Sequence, residues 1–256
     1  MSLPLTIDHT GRRVLVTGAS QGIGRATAAA FAQGGARVAV VARREDLLKS
    51  LVDEMGGVDA GHAWGAADLT DAAQATATVD GLLAEGGAFD VMVHCAGGSL
   101  GLRDAMAPPN DWERVWRLNV GSTIAVNNAA VPAMKASGWG RIIMLSSRVA
   151  VTCEGAPAYN AAKAALNAYV TTLGRELAAD GIVACAVMLG AVAADGNAWH
   201  HAQTDNPENV SAYLENSMSL GRLGSSDDVV PFIRFLASEH NTFAAGAILP
   251  LDGGAR

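Results

Sequence analysis

Aromatic residues are scarce in this chain, at 5% of 256 residues, and there are only three cysteines. A core poor in rings but rich in Ala and Gly, with half of all residues hydrophobic, suits close helix-on-sheet packing better than a β-sandwich. Cys95, Cys153 and Cys185 have no zinc-type spacing, so no metal site is expected. They read as buried thiols in a reducing compartment. No long Lys/Arg run offsets the formal charge of −7, which argues against nucleic acid or an anionic membrane surface as a partner. No apolar run approaches the ~20 residues of a membrane span. The opening Met1 to Arg13 lacks a basic-then-apolar layout, so a cytoplasmic protein is expected. No repeat, low-complexity tract or linker divides the chain, and a single domain over residues 1–256 is expected.

What is present is a sequence of short β-branched runs alternating with helix-forming stretches. Arg13 to Thr17 reads as a strand. It ends at Gly18-Ala19-Ser20-Gln21-Gly22-Ile23-Gly24, after which Ala26 to Gln33 is helix-forming. Glycines in that position let backbone approach a pyrophosphate, whose charge is stabilised by the unpaired N–H groups at the start of a helix near Gly22. The alternative is a tight turn with no ligand, but three glycines between a strand and a helix favour a dinucleotide. Arg37 to Ala42 reads as the second strand. An acidic residue at its end would accept from a free ribose 2′-OH; here Ala42 is followed by Arg43 and Arg44, which suit a 2′-phosphate. NADP(H) is therefore favoured over NAD(H), the alternative being two solvated arginines at a helix start. Asp71 is placed to cap the helix Ala72 to Glu85, and Ser226 to cap a later one. Phe89 to Val93, Gly140 to Leu145 and Val183 to Met188 read as further strands, with Asp111 to Val120 helical between them. Tyr159 and Lys163, four residues apart on a helix, share a face, so the ammonium is placed to lower the pKa of the phenol toward a working range.

The spacing Gly18-x3-Gly22-x-Gly24 after Thr17, taken with Tyr159-x3-Lys163, resembles the short-chain dehydrogenase/reductase family from about Arg12 to Gly254. That resemblance implies an α/β fold, a doubly wound Rossmann-type parallel sheet with helices on both faces. It also implies an oxidoreductase that interconverts a ketone and a secondary alcohol, with Tyr159 as general acid/base. Lys163 would hold the nicotinamide ribose, and Asn119 would position a water in the proton path. The polarising serine is Ser147 counted from the strand, or Ser146 counted back from Tyr159. Strand register selects Ser147, since a one-residue slip would turn every side chain to the other face. Cofactor contacts are implied at Gly18, Ser20, Gln21, Gly22, Ile23, Gly24, Arg43 and Arg44. Further ones fall at Asp68 and Leu69 beside adenine, at Cys95, Ala96 and Gly97, at Tyr159 and Lys163, and at Gly190 and Val192.

Three positions depart from the family pattern. His94-Cys95 stands for the usual Asn-Asn, Leu189-Gly190 for Pro-Gly, and Ala193-Ala194 for the following Thr. His94 is expected to be a hydrogen-bonded structural residue and Cys95 packing. Residues 195–218, polar and interrupted by Gly196 and Pro207, fall where the family carries its substrate lid. A homo-oligomer, tetramer or dimer, is implied as well. The rival function is a dinucleotide-binding regulator or scaffold that has lost catalysis, supported only by those departures.

Overall fold

The computed structural model describes residues 7–255; the first half of the opening segment Met1 to Arg13 lies outside them. Seven strands form one parallel sheet. They are β1 (Arg13–Thr17), β2 (Arg37–Ala42), β3 (Ala63–Ala66), β4 (Val91–His94), β5 (Gly140–Ser147), β6 (Ile182–Leu189) and β7 (Ile248–Leu251). The principal helices are α1 (Gly22–Gln33), α2 (Glu45–Glu54), α3 (Ala72–Gly86), α4 (Pro109–Trp116) and α5 (Ser122–Ser137). After them come α6 (Val149–Thr152), α7 (Pro157–Leu177), α8 (Ala198–Asp205), α9 (Pro207–Ser217) and α10 (Ser226–Leu236). The strand order is β3-β2-β1-β4-β5-β6-β7. This is the expected doubly wound α/β fold. No helix among the described residues is long and apolar enough to cross a membrane.

Alternation along the strands divides the core into two layers. Val14 and Val16 of β1, Val91 and Val93 of β4, and Ile143 and Leu145 of β5 pack against one helical layer with Phe31, Leu48 and Ile233. Their neighbours Leu15, Met92, Ile142 and Met144 face the other layer with Val79, Val126, Leu166 and Val170. Strands covered on both faces are apolar through their middles, and β1, β4 and β6 are buried throughout, with Arg13, Thr17 and His94 the polar residues at strand ends. The chain order reverses between β1 and β4, so the loops after these two strands diverge and leave a crevice at their carboxyl ends.

Three local expectations change. Ser225, not Ser226, is the N-cap of α10, and Asp228 accepts from its backbone N–H in a capping box; the acid three residues on decides which serine serves. Only Cys185 is fully buried, while Cys95 is half-buried and Cys153 exposed. Cys153 ends α6 at φ +58, and that turn carries its side chain out to the surface. The helix expected from Asp111 to Val120 gives way at Arg117–Gly121 to a π-turn that runs on into α5. Val115 and Asn119 are buried, whereas Trp116, off that line, is 46% exposed.

Candidate active site

The turn after β1 brings Gly18, Ser20, Gln21, Gly22, Ile23 and Gly24 to the wall of a cavity of about 450 Å³ at the strand crossover. Gly18 has φ +67, and a Cβ there would lie 2.7 Å from the nitrogen of Ala96. Only glycine fits between two loops that close on each other so tightly. Across the cavity stand Cys95, Ala96 and Gly97, with Ala67 and Leu69 at one side and Arg43 and Arg44 at the end of β2. Asp68 is not part of this wall: its Oδ1 accepts from the Thr70 backbone N–H at 3.0 Å and from its hydroxyl at 2.8 Å. Ala194, where the family's Thr is replaced, also lines the cavity, as do Leu118, Asp195 and Asn197, which sequence reasoning missed as contacts. Asn197 did carry a signal, as the N-cap of α8, accepting from the His200 N–H at 2.9 Å.

Beside that wall the polar residues converge. Asn119 is fully buried at the π-turn, a helix irregularity frequent at functional sites. Its Nδ2 donates to the carbonyls of Gly98 at 2.9 Å and Val115 at 2.8 Å, and its Oδ1 accepts from Gly98 N–H at 3.0 Å. Both Nδ2 hydrogens thus end on backbone, and the amide clamps the loop after β4. A role for Asn119 in the proton path therefore does not run through those hydrogens. A Cβ at Gly97 would lie 2.8 Å from Asn119 Oδ1 and 3.2 Å from Lys163 Nζ, so this glycine leaves room where the two side chains meet.

The two serines at the end of β5 face apart. Ser146 is buried and donates to Asn167 Oδ1 at 2.5 Å. Ser147 lies against Tyr159, and its hydroxyl favours the phenolate. Burial outweighs that effect and pushes the phenol up to about 12. Burial also lowers Lys163, to about 8, with Cys95 acting against it. The ammonium donates to the Leu145 carbonyl at 2.7 Å and sits 5.5 Å from the centre of the Tyr159 ring. The lowering of the Tyr159 pKa by Lys163 expected from their spacing is not what this geometry gives, because Nζ is aimed at the strand.

Cys95 is likewise pushed up to about 12 by burial, although Thr27 and Lys163 pull the other way, which disfavours its thiolate. His94 is buried, with Nε2 2.9 Å from Asn127 Oδ1, while Asn127 Nδ2 donates to the Tyr169 hydroxyl at 3.0 Å. Desolvation drives its pKa down to about 4, and the neutral ring ties β4 to α5 and α7. A second cavity, about 420 Å³, opens beside Ser147 and is bounded by Gly190, Trp199 and Tyr213, with Arg103, Arg148 and Glu154. Trp199 of α8 and Tyr213 of α9 pack with ring centres 4.7 Å apart. Gly190 thus lies between this second chamber and a third space of about 210 Å³, which Val192 borders with Met218 and Leu251; neither residue lines the glycine-rich cavity.

A family model described as short chain dehydrogenase matches residues 12–205. The chain belongs to that family. It is an oxidoreductase acting on CH–OH and C=O groups with a nicotinamide cofactor. Among relatives of this short-chain dehydrogenase, a 3α-hydroxysteroid dehydrogenase of Mediterraneibacter gnavus is 32% identical over 94% of this chain and 96% of its own. A 3-oxoacyl-[acyl-carrier-protein] reductase of Escherichia coli is 31% identical over 97% and 98%. L-sorbose reductase from Gluconobacter frateurii, solved with NADPH and L-sorbose, superposes with a TM-score of 0.87 at 28% identity, covering 98% of both chains. A 3-oxoacyl-(acyl-carrier-protein) reductase from Agrobacterium tumefaciens with NADP bound gives 0.88 at 30% identity, over 99% and 98%.

Proposed function

We propose that this short-chain dehydrogenase is an NADP(H)-dependent enzyme that interconverts a small ketone and the matching secondary alcohol. The observation that carries the reading is the meeting of Ser147, Tyr159 and Lys163 beside a glycine-lined cradle whose far end holds Arg43 and Arg44. The residues fit a dinucleotide: Gly18, Gly22, Gly24 and Gly97 line the cavity with backbone alone, and α1 starts at the cradle with an N-terminus that favours a pyrophosphate. The two guanidiniums suit a 2′-phosphate, and the NADPH and NADP complexes of the structural neighbours support the same choice.

When bound, the nicotinamide supplies or accepts the hydride. The chain's own residues handle the oxygen and the proton. With its pKa pushed up to about 12, Tyr159 holds its proton throughout the neutral range, the state required of an acid that protonates a carbonyl oxygen. Ser147 Oγ donates to the same oxygen and stabilises the charge that grows on it. Lys163, held against the end of β5, contributes a buried positive charge near the ring. Residues 195–218, folded as α8 and α9, form the lid over the Ser147 chamber and exclude water from the carbonyl. The whole chain acts as one catalytic domain.

The test is NADPH and NADH oxidation over a panel of small sugars, 3-oxoesters and cyclic ketones. Turnover with NADPH, and k_cat/K_M at least tenfold lower with NADH, is expected. Tight NADP(H) binding with no turnover across the panel would favour a binding protein of the same fold instead.

A further inference from the structure

Arg44 is tied into the glycine-rich turn. Its Nη2 donates to Ser20 Oγ at 3.0 Å and to Gln21 Oε1. The other end of the same amide, Gln21 Nε2, donates to the carbonyl of Gly196 at 3.1 Å. Gly196 is at the root of the 195–218 segment, with φ +72, and a Cβ there would come within 2.6 Å of Gln21 Nε2. The neighbouring Asp195 carbonyl would lie 3.0 Å from a Cβ on Gly22. The lid root therefore rests directly on the turn, and Gln21 bridges it to the arginine beside the ribose end of the cradle.

We propose that Gln21 is a positioning residue that makes the order of the lid depend on occupancy of the 2′-phosphate site, so that the NADP(H) complex holds the lid root more firmly than the NAD(H) complex. The proposal rests on the NADP(H) reading above. Its physical basis is the two-ended amide: with Oε1 held by Arg44 and Nε2 on Gly196, the side chain cannot swivel, and releasing either end frees the other. Arg44 is exposed, so its bonds to Ser20 and Gln21 compete with water and with other rotamers, and an anion on the same guanidinium would hold it in place. Within its side chain, and among the described residues, only Nη2 makes hydrogen bonds. The remaining N–H donors of the guanidinium are available to a phosphate without breaking the contact to Gln21.

Hydrogen exchange over residues 195–218, measured with saturating NADP⁺ and with saturating NAD⁺, tests this, with occupancy fixed by calorimetry. In the wild type, exchange there is expected to be about 2- to 10-fold slower with NADP⁺, the range set by one neutral hydrogen bond. Gln21→Met, which can neither accept from Arg44 nor donate to Gly196, is expected to abolish that difference while retaining Arg43 and Arg44 for binding. Gln21→Glu keeps the acceptor but loses the donor, and should also abolish it. In both variants the substrate K_M with NADPH should rise by a similar factor and k_cat should change less. Equal exchange with the two cofactors in the wild type, which needs no variant to fold, would overturn the proposal, as would a difference that survives Gln21→Met. Equal affinity for NADP⁺ and NAD⁺ by calorimetry would instead overturn the cofactor reading beneath it, and this proposal with it.

Discussion

Alanine at position 147 and, separately, at position 146 tests which of two adjacent hydroxyls serves the chemistry. Ser147 borders the cavity of about 420 Å³ and lies against Tyr159; in the proposed reaction its hydroxyl would donate to an oxygen that gains charge in the transition state. Removing one such donor typically costs about 2.7–4 kcal/mol, or roughly 10²- to 10³-fold in k_cat. Ser146 points the other way and donates to Asn167 at 2.5 Å. Asn167 is only partly buried, so water can replace the lost donor, and the cost is that of an ordinary hydrogen bond, about 0.5–1.5 kcal/mol. For a domain of this size that lowers T_m by roughly 1–6 °C. Steady-state kinetics and a thermal melt on both variants should therefore separate cleanly. Ser147→Ala should lose turnover at nearly unchanged T_m, while Ser146→Ala should melt earlier at nearly unchanged k_cat. Collapse of k_cat in Ser146→Ala, with Ser147→Ala spared, would show that counting back from Tyr159 was the correct ruler and that the strand register was misread.

Tyr159→Phe removes the phenolic hydroxyl and keeps the ring, so cofactor affinity by calorimetry should persist while kcat falls about 10²- to 10⁴-fold; near-normal turnover would exclude the phenol as proton donor. Arg43→Ala should weaken NADPH by roughly 10- to 150-fold, the worth of one charge-assisted hydrogen bond, and leave NADH almost unchanged. His94 is held neutral, with its pKa lowered to about 4 from 6.5. Between those values the unfolded chain binds the extra proton, so stability is lost as pH falls through that window, by up to about 3 kcal/mol. Urea titrations at pH 7.5 and 4.5 should show a smaller loss in His94→Asn than in the wild type; equal losses would mean that His94 titrates normally.

Much of the fold could be read from the chain because its determinants are local. The Arg13 to Thr17 run, the glycine turn and the helix after it depend on neighbours in sequence, and Asp71 capping α3 does so too, accepting from Ala73 N–H at 2.9 Å. What escaped was set by contacts across the fold. Gln21 and Gly196 are 175 residues apart, and nothing near either announces the other. Asn167 looks like a surface polar residue on an Ala-rich helix until β5 brings Ser146 against it. Helical spacing fixes where the side chains of Tyr159 and Lys163 start, not where a flexible lysine ends; its ammonium meets the Leu145 carbonyl. The bonds from Thr70 to Asp68 Oδ1 are by contrast local, an Asx turn that the spacing of the two residues allows.

Helix α7 has a consequence for how such chains can vary by insertion and deletion. It carries Tyr159 and Lys163 toward the site, Asn167 toward Ser146, and Tyr169 toward the Asn127 amide. Each added residue would rotate everything beyond it by about 100°, so a single insertion between 159 and 169 would unhook all the partners downstream of it. The loop 153–156 between α6 and α7 has no such register to keep, and a change in its length does not rotate α7. A search for distant relatives of this site should therefore allow gaps ahead of Pro157 and none in the ten residues after Tyr159.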